Sequence, residues 1–427
     1  MRPRTKLQKE VVALSKRLPK ISDTQKRYAF RHCFDHIGRR TAKGIITCTE
    51  CGHGWKGDGE LVDTVCGCTC PHCGMELKVR TTRNRVFKEN EYFSIITTAK
   101  EYQVIRFFFA RAYYKVGQSA KYSITEVAQR WIAPNGKFTT VARLRGMSFI
   151  YYDLWQECSP MEIRRNHRVY DITPICTYPR VRTTEQLKRN GFRGDFHGIA
   201  PFDLFCNILT DSKAETLLKA GQTNLLRYFI RYSSKQTDTY WNSIRIAIRN
   251  GYTITDGSMW CDYIDLLNYF GKDTNSPKYV CPESLIGQHD QYVRRKRADI
   301  ERQQLEKKRK KAREDEAQFK ELKSKFFGIE FSDGVISIRV LDSVMDFAEE
   351  GTAMHHCVFS NAYYLNENSL ILSATIDGKR IETVEISLET MKVVQSRGVC
   401  NKTTEYHDRI IKLVNKNIKQ IRSRMAA

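Results

Sequence analysis

The strongest constraint in this chain is a pair of short cysteine knuckles, Cys48-Thr-Glu-Cys51-Gly52 and Cys70-Pro-His-Cys73-Gly74, separated by eighteen residues. A CxxC loop presents two thiolates to one ion, and the glycine after its second cysteine lets the backbone curl so that amides point at sulfur. Two such loops at ribbon spacing predict one tetrahedral Zn2+ site formed by Cys48, Cys51, Cys70 and Cys73. A closed four-thiolate site leaves no position for water or substrate, so its expected role is structural. Separate redox dithiols are the weaker account, since two redox centres have no reason to adopt ribbon spacing. Cys66 and Cys68 lie close by: on a strand Cys66, Cys68 and Cys70 would share one face and compete for the ion. Cys70 is assigned because it alone forms CxxC with Cys73.

A module of residues 44–80 is too short to hold a core without metal, and 427 residues exceed what one ordinary core supports. The expected fold class is α+β multidomain. Residues 1–43 read as a basic helical arm, 44–80 as the zinc ribbon and 81–200 as a β-rich, antiparallel region. In that region Tyr92–Thr97, Val104–Ala112 and Phe138–Arg143 are strand-like, and Asn135-Gly136 is a turn signal. Residues 201–287 change to helical spacing, with Leu217, Leu218, Leu225, Leu226 and Phe229 on recurring turns, followed by Trp241, Ile244 and Ile248, then Tyr263, Leu266 and Leu267. Residues 288–325 lack Pro and Gly and are highly charged, which predicts a long solvated connector helix. Residues 326–427 form a C-terminal α+β domain: alternating Ile336, Ile338 and Val340, a helix stopping near Gly351, strands at Ser369–Ile376, Arg380–Leu388 and Met391–Arg397, and a final helix with Ile410, Val414, Ile418 and Ile421 on one face.

The formal net charge is +23, of which Arg294–Arg313 supplies about +8, so about +15 is distributed elsewhere. A surface of this kind attracts polyanions, and nucleic acid is the expected partner. Tyr28, Trp55, Lys56, Arg80, Arg83 and Arg85 around the knuckles offer aromatic faces and cations suited to a single strand or a phosphate backbone; the bland alternative is solvated charge. The first twenty residues lack an apolar core bounded by a cleavage site, which predicts reduced thiols and a cytoplasmic chain. The apolar run at 105–110 is interrupted by Arg106 and followed by Arg111, far short of a membrane span of about twenty residues, so no membrane is expected.

At Met354-His355-His356-Cys357-Val358 two imidazoles adjoin a thiol. If the segment is extended, His355 and Cys357 share a face, and an imidazole can lower the thiol pKa; if helical, they diverge. A Cys nucleophile with a His base suits acyl or phosphoryl chemistry, and the three together can instead hold a metal. A buried cysteine with histidines satisfied by backbone groups is the plainer account and is favoured. The block Glu349-Glu350-Gly351 through Val358, with Ile381–Ile386, Val394-Gln395-Ser396-Arg397-Gly398 and Asn401, resembles the PcfJ-like family. The segment Ala214–Gly221 resembles a helical stretch of the same family, and Phe359-Ser360 departs from the Gly-Ser pair the family pattern suggests.

The resemblance implies an accessory protein of a mobile genetic element, whether plasmid, transposon or phage, with protein partners of that element, and it implies no particular reaction. Thr383, Glu385, Gln395, Arg397 and Asn401 lie on or beside strands whose alternate positions are apolar. They can line one pocket with His355, His356 and Cys357, or form the wet face of a sheet. The leading expectation is therefore a zinc-ribbon, nucleic-acid-binding accessory protein. The alternatives are an enzyme with catalytic His355, His356 and Cys357, aided by Glu385, Gln395 and Asn401, and a protein-interaction scaffold.

Overall fold

The computed structural model describes residues 2–147, 153–165, 168–232 and 237–426. The chain divides into two compact units, Met1–His289 and Asp290–Ala427. The first opens with helices α1 (Lys6–Ser15) and α2 (Asp23–His32). Each starts at a capping box in which Thr5 or Ser22 accepts from the amide three residues on, while Gln8 or Gln25 reaches back. The helical expectation ends at the second of these. Ile37–Arg40 is instead strand β1, because its residues pair antiparallel with β2 (Ile45–Cys48) and parallel with β5 (Glu76–Thr81), which buries Ile37. With β3 (Gly54–Lys56) and β4 (Cys68–Thr69) they make a five-stranded ribbon sheet ordered β3-β2-β1-β5-β4. The short helix α3 (Glu60–Cys66) interrupts it between the knuckles, and Arg40 Nε holds Asp63 of that helix at 3.1 Å.

The β-rich region is a six-stranded sheet, β12-β9-β8-β7-β6-β13. Its long members are β6 (Val86–Ala99), β7 (Tyr102–Lys115) and β8 (Lys121–Ile132), flanked by β9 (Phe138–Ala142), β12 (Glu162–Arg164) and β13 (Cys176–Thr177), with β10 (Leu144–Met147) and β11 (Asp153–Gln156) as a separate hairpin. All pairs are antiparallel except β13 with β6. Tyr102 and Val104 of β7 belong to a core cluster with Val11 of α1, while Phe108, Ala110 and Ala112 lie with Ala29 and Cys33 near α2. These residues alternate along β7, so one sheet face is covered by both helices in turn. Arg106 interrupts the apolar run because its guanidinium meets Glu126 at 2.6–2.8 Å. Helices then follow: α4 (Glu185–Arg189), inside the stretch expected to be β-rich, then α5 (Pro201–Thr210), α6 (Ser212–Lys219), α7 (Thr223–Tyr232), α8 (Thr237–Arg249), α9 (Gly257–Tyr269) and α10 (Pro277–Val280), of which α6 to α9 carry the residues with the predicted spacing.

Helix α11 (Leu285–Lys323) leads into the second unit. Its last third is not a solvated connector: Ala312 and Phe319 are buried with Val344, Phe347, Tyr364 and Ile371. That unit is an antiparallel sheet, β14 (Glu330–Ser332), β15 (Ile336–Val340), β16 (Ser369–Ile376), β17 (Lys379–Ser387) and β18 (Lys392–Arg397), in sequence order. Leu370, Leu372, Ala374, Val384 and Ile386 meet Ile410, Val414 and Ile421 of helix α13 (His407–Ala426) on one face. The end of α11 and helix α12 (Val344–Met354) cover part of the other, where Ile371 points. The rest of that second face is the floor of a cleft.

Candidate functional sites: a four-cysteine centre and a C-terminal cleft

The sulfurs of Cys48, Cys51, Cys70 and Cys73 all lie within 4.8 Å of one another. The Cys51–Cys70 and Cys48–Cys73 separations are 3.6 and 3.8 Å. Metal–sulfur bonds of about 2.3 Å in a tetrahedron require sulfur–sulfur edges of about 3.8 Å, whereas a disulfide needs about 2.05 Å. The donor set therefore fits one four-coordinate ion and no disulfide. Burial pushes the Cys48 thiol above its ordinary range, opposed by the amides of Cys51 and Glu50 that donate to it. Burial also disfavours the Cys70 thiolate, but the amides of Cys73 and His72 together with the Cys73 and Cys51 thiols outweigh it and draw that thiol down. These amide–sulfur bonds are the ones a curled knuckle supplies. Gly52 (φ +80°) permits the curl, and its missing side chain matters twice, since a Cβ there would stand 2.8 Å from the backbone of Gly117. The first knuckle is thus seated on the β7–β8 turn, where Ala120 N–H donates to Glu50 O and the Tyr122 hydroxyl to Glu50 Oε2.

Cys66 and Cys68 stand outside the cluster: Cys66 ends α3 and is exposed, and Cys68, on β4, is partly buried, which raises its thiol pKa. The surface beside the centre differs from the sequence expectation. Tyr28 packs against Phe93 and Tyr178 and contributes no face to the ribbon. Arg80 and Lys78 are tied to Asp35. Lys56, Arg83 and Arg85 are exposed and form no ion pair among the described residues. Sequence reasoning missed two residues that complete an aromatic row. His53 lies 5.4 Å from His72 at 20° between planes and 6.1 Å from Trp55 at 16°, an offset stack in which both histidines are exposed. Each of these histidines belongs to a knuckle, one following Cys51-Gly52 and the other preceding Cys73, and that placement was the available signal.

In the second unit α12 ends at Met354, and His355 adopts a left-handed conformation (φ 53°, ψ 44°) as its cap. The chain turns back so sharply that His356 N–H donates to Gly351 O, and a Cβ on Gly351 would lie 2.9 Å from His356 O. The segment is thus neither strand nor helix. His355 is exposed, while His356 and Cys357 line a cleft of about 490 Å³ with Val358, Tyr363, Ile371, Thr383, Glu385, Gln395, Arg397 and Asn401. The structure brings together every C-terminal residue singled out from sequence except His355, which is not among the lining residues.

Both nitrogens of His356 are engaged. Nε2 donates to Gly398 O at 2.7 Å, and Nδ1 lies 3.2 Å from Thr383 Oγ1. The Thr383 hydroxyl donates to Glu350 Oε1 at 2.6 Å; this carboxylate, fully buried, also takes Ser373 Oγ at 2.8 Å and Arg380 Nε at 2.7 Å. A second fully buried carboxylate, Glu382, faces α13 and accepts from Ser396, from both the amide and hydroxyl of Thr404, and from His407 Nδ1. Burial works against its charge, yet these donors hold its pKa below the ordinary carboxylate range. His356 therefore clamps the 398–401 turn to the sheet, and this arrangement leaves neither ring nitrogen facing the Cys357 thiol as a base. Among the described residues no cluster of three or more His, Cys, Asp or Glu besides the four cysteines can hold a metal.

No helix among the described residues is long and apolar enough to cross a membrane. No curated protein and no solved structure matches the chain. The match to a family model begins downstream of Ala214–Gly221 and takes in α9 through the start of α13, including the cleft and both buried glutamates. Residues 259–411 match the family described as PcfJ-like protein, so this part of the chain is similar to that family.

Proposed function

We propose that this protein is a zinc-binding, nucleic-acid-binding accessory protein of a mobile genetic element, acting in the cytoplasm, with the four-cysteine module as its contact region. The ion is Zn2+, because four thiolates on two knuckles are the structural zinc donor set. The observation that carries the reading is the stack of His72, His53 and Trp55, whose two histidines are exposed; Lys56, Arg83 and Arg85 are exposed cations within or shortly after the same module in sequence. Aromatic faces accept bases of a single strand irrespective of sequence, and unpaired cations neutralise its phosphates. The net charge of +23 gives the same surface a long-range attraction for polyanions.

The test is binding of single- and double-stranded DNA and RNA over a salt series. Affinity should fall linearly with log salt, and H53A/H72A should weaken single-strand binding about tenfold or more while leaving the salt slope unchanged. Absence of binding even at low salt removes the reading. Catalysis by Cys357 is a second reading, supported by an exposed thiol in the cleft. In it His356, held at both nitrogens, positions the cleft, with Glu385, Gln395 and Asn401 as assisting polar groups and His355 outside. A thiol-directed loss of activity on C357S would be its signature.

A further inference from the structure

The C-terminal cleft contains polar groups that the buried network does not use. Glu385 is half-buried; Ser369 Oγ donates to its Oε1 and Gln395 Nε2 to its Oε2, each at 2.7 Å. Those two bonds fix the plane of the carboxylate. A carboxylate offers about four acceptor positions, so about two remain, and Glu385 forms no ion pair with any described residue. Arg397 and Asn401 are exposed at the same cleft, and neither forms a side-chain hydrogen bond or ion pair with a described residue. Tyr363 supplies a ring that stacks on no other aromatic ring among the described residues, and Val358 and Ile371 are the apolar residues of the same lining.

The backbone around the cleft is also costly. His355, Ala362, Cys400 and Asn401 have positive φ, half of the eight non-glycine residues that do so among the described residues. Residues held in this region cost on the order of 1–2 kcal/mol each and persist where the surroundings fix them, commonly at ligand sites. Here the clamp from His356 to Gly398 fixes the turn that carries Cys400 and Asn401.

We propose that this cleft binds a guanine nucleotide, with the base edge on Glu385 and the phosphate on Arg397. A fixed carboxylate with open acceptor positions selects a ligand presenting two adjacent N–H donors. The guanine edge does so through N1–H and the 2-amino group. Adenine and cytosine place an acceptor nitrogen beside their amino group, and uracil flanks its single N–H with carbonyls, so each sets like against like. The volume of about 490 Å³ suits a mononucleotide, Tyr363 offers a stacking face, and Arg397 offers a two-pronged donor to phosphate. The nucleotide can be free or the phosphorylated end of a strand. The proposal concerns the C-terminal unit and does not depend on the ribbon.

Calorimetric titration of the full chain with GMP, IMP, AMP, CMP and UMP tests it. GMP is expected to bind saturably, and IMP, which lacks the 2-amino group, about tenfold or more weaker, with AMP, CMP and UMP weaker still. E385Q should remove the preference for GMP over IMP. R397A, at an exposed position, should weaken GMP about tenfold and leave guanosine unchanged. Competition by a 5′-phosphoguanosine oligonucleotide against GMP distinguishes the two sources. H53A/H72A, which disables the ribbon stack, should leave GMP binding intact. No GMP binding, equal affinity for GMP and AMP, or an unaltered preference in a folded E385Q protein overturns the proposal; if E385Q does not fold, the IMP comparison and R397A decide it.

Discussion

Thr383→Val isolates the polar clamp beneath the cleft. One hydroxyl serves two partners there: it donates to Glu350 Oε1 at 2.6 Å and lies 3.2 Å from His356 Nδ1. Valine has nearly the same shape, so no cavity forms and the loss is polar. Leaving a buried polar group unsatisfied costs about 1–3 kcal/mol. Glu350 retains Ser373 and Arg380, and His356 retains Gly398, so each loss falls toward the low end. Together they amount to about 2–4 kcal/mol, offset by about 0.8 kcal/mol for the added buried methyl. The net destabilisation is about 1–3 kcal/mol, a lowering of roughly 3–9 °C for a unit of this size. Calorimetric melting measures it, and hydrogen exchange at the Gly398 amide, bonded to Lys402 O, reports whether the 398–401 turn loosens. A cycle with His356→Gln should give a coupling of about 0.5–1.5 kcal/mol. Destabilisation below 0.5 kcal/mol, or additivity with His356→Gln, would refute the account of His356 as a clamp.

Removal of the metal and titration of a buried lysine give two further tests. Purified protein should hold one zinc ion, and chelation, or C48S with C51S, should abolish exchange protection across β1 to β5 while leaving the melt of the C-terminal unit unchanged, because zinc binding in small modules contributes about 10–16 kcal/mol of folding free energy. Lys323 is buried, and its desolvated ammonium has a pKa lowered from 10.5 to about 8, with Nζ donating to Glu367 O at 2.7 Å. Between those values the unfolded chain binds more protons than the folded one, so stability rises as pH increases from about 8 toward 10.5, by at most about 3 kcal/mol. The difference between the chemical-denaturation stability of wild type and of K323M should shrink over that window, with K323M the more stable at pH 7; a difference independent of pH would contradict the assignment.

What the sequence revealed depended on whether a signal was local. The knuckles were legible because CxxC spacing and the following glycine fix sulfur geometry within five residues. The strands at Ser369–Ile376 and Arg380–Leu388, the apolar face of α13 and the apolar run of β7 were legible from local pattern. Strand β8 was not, because its alternation over Lys121–Thr125 is short and breaks at Glu126, where the register against β7 shifts, and long-range pairing with β7 supplies its stability. Strand β1 was hidden because Arg39 and Arg40 within it and Lys43 just after it resemble the basic helical arm, and its pairing partner β5 lies about forty residues on. The last third of α11 read as solvated because Ala312 and Phe319 are isolated among charges, yet both are buried.

The cleft was only half legible, and the reason is physical. Glu385, Gln395, Arg397 and Asn401 stand out as polar residues beside apolar strands, but the residues that hold them do not. Glu350 is on the buried face of α12, three residues after Phe347 and four before Met354, and Glu382 alternates with Val384 and Ile386 on the apolar side of β17. A carboxylate at a core-facing position is the sequence signal for such a group, and recognising it requires the element to be placed first. Buried ionic networks are commonly no more stabilising than apolar packing of the same volume. Two of them on opposite faces of one small sheet are therefore better explained by what they fix than by what they stabilise. Glu350, through Thr383 and His356, fixes the 398–401 turn from one side, and Glu382, through Ser396 and Thr404, secures both ends of its approach from the other. The exposed groups of the cleft inherit their positions from that pair. The His-His-Cys block thus divides by position: His355 caps a helix, His356 anchors a turn, and Cys357 is an exposed lining residue of the cleft.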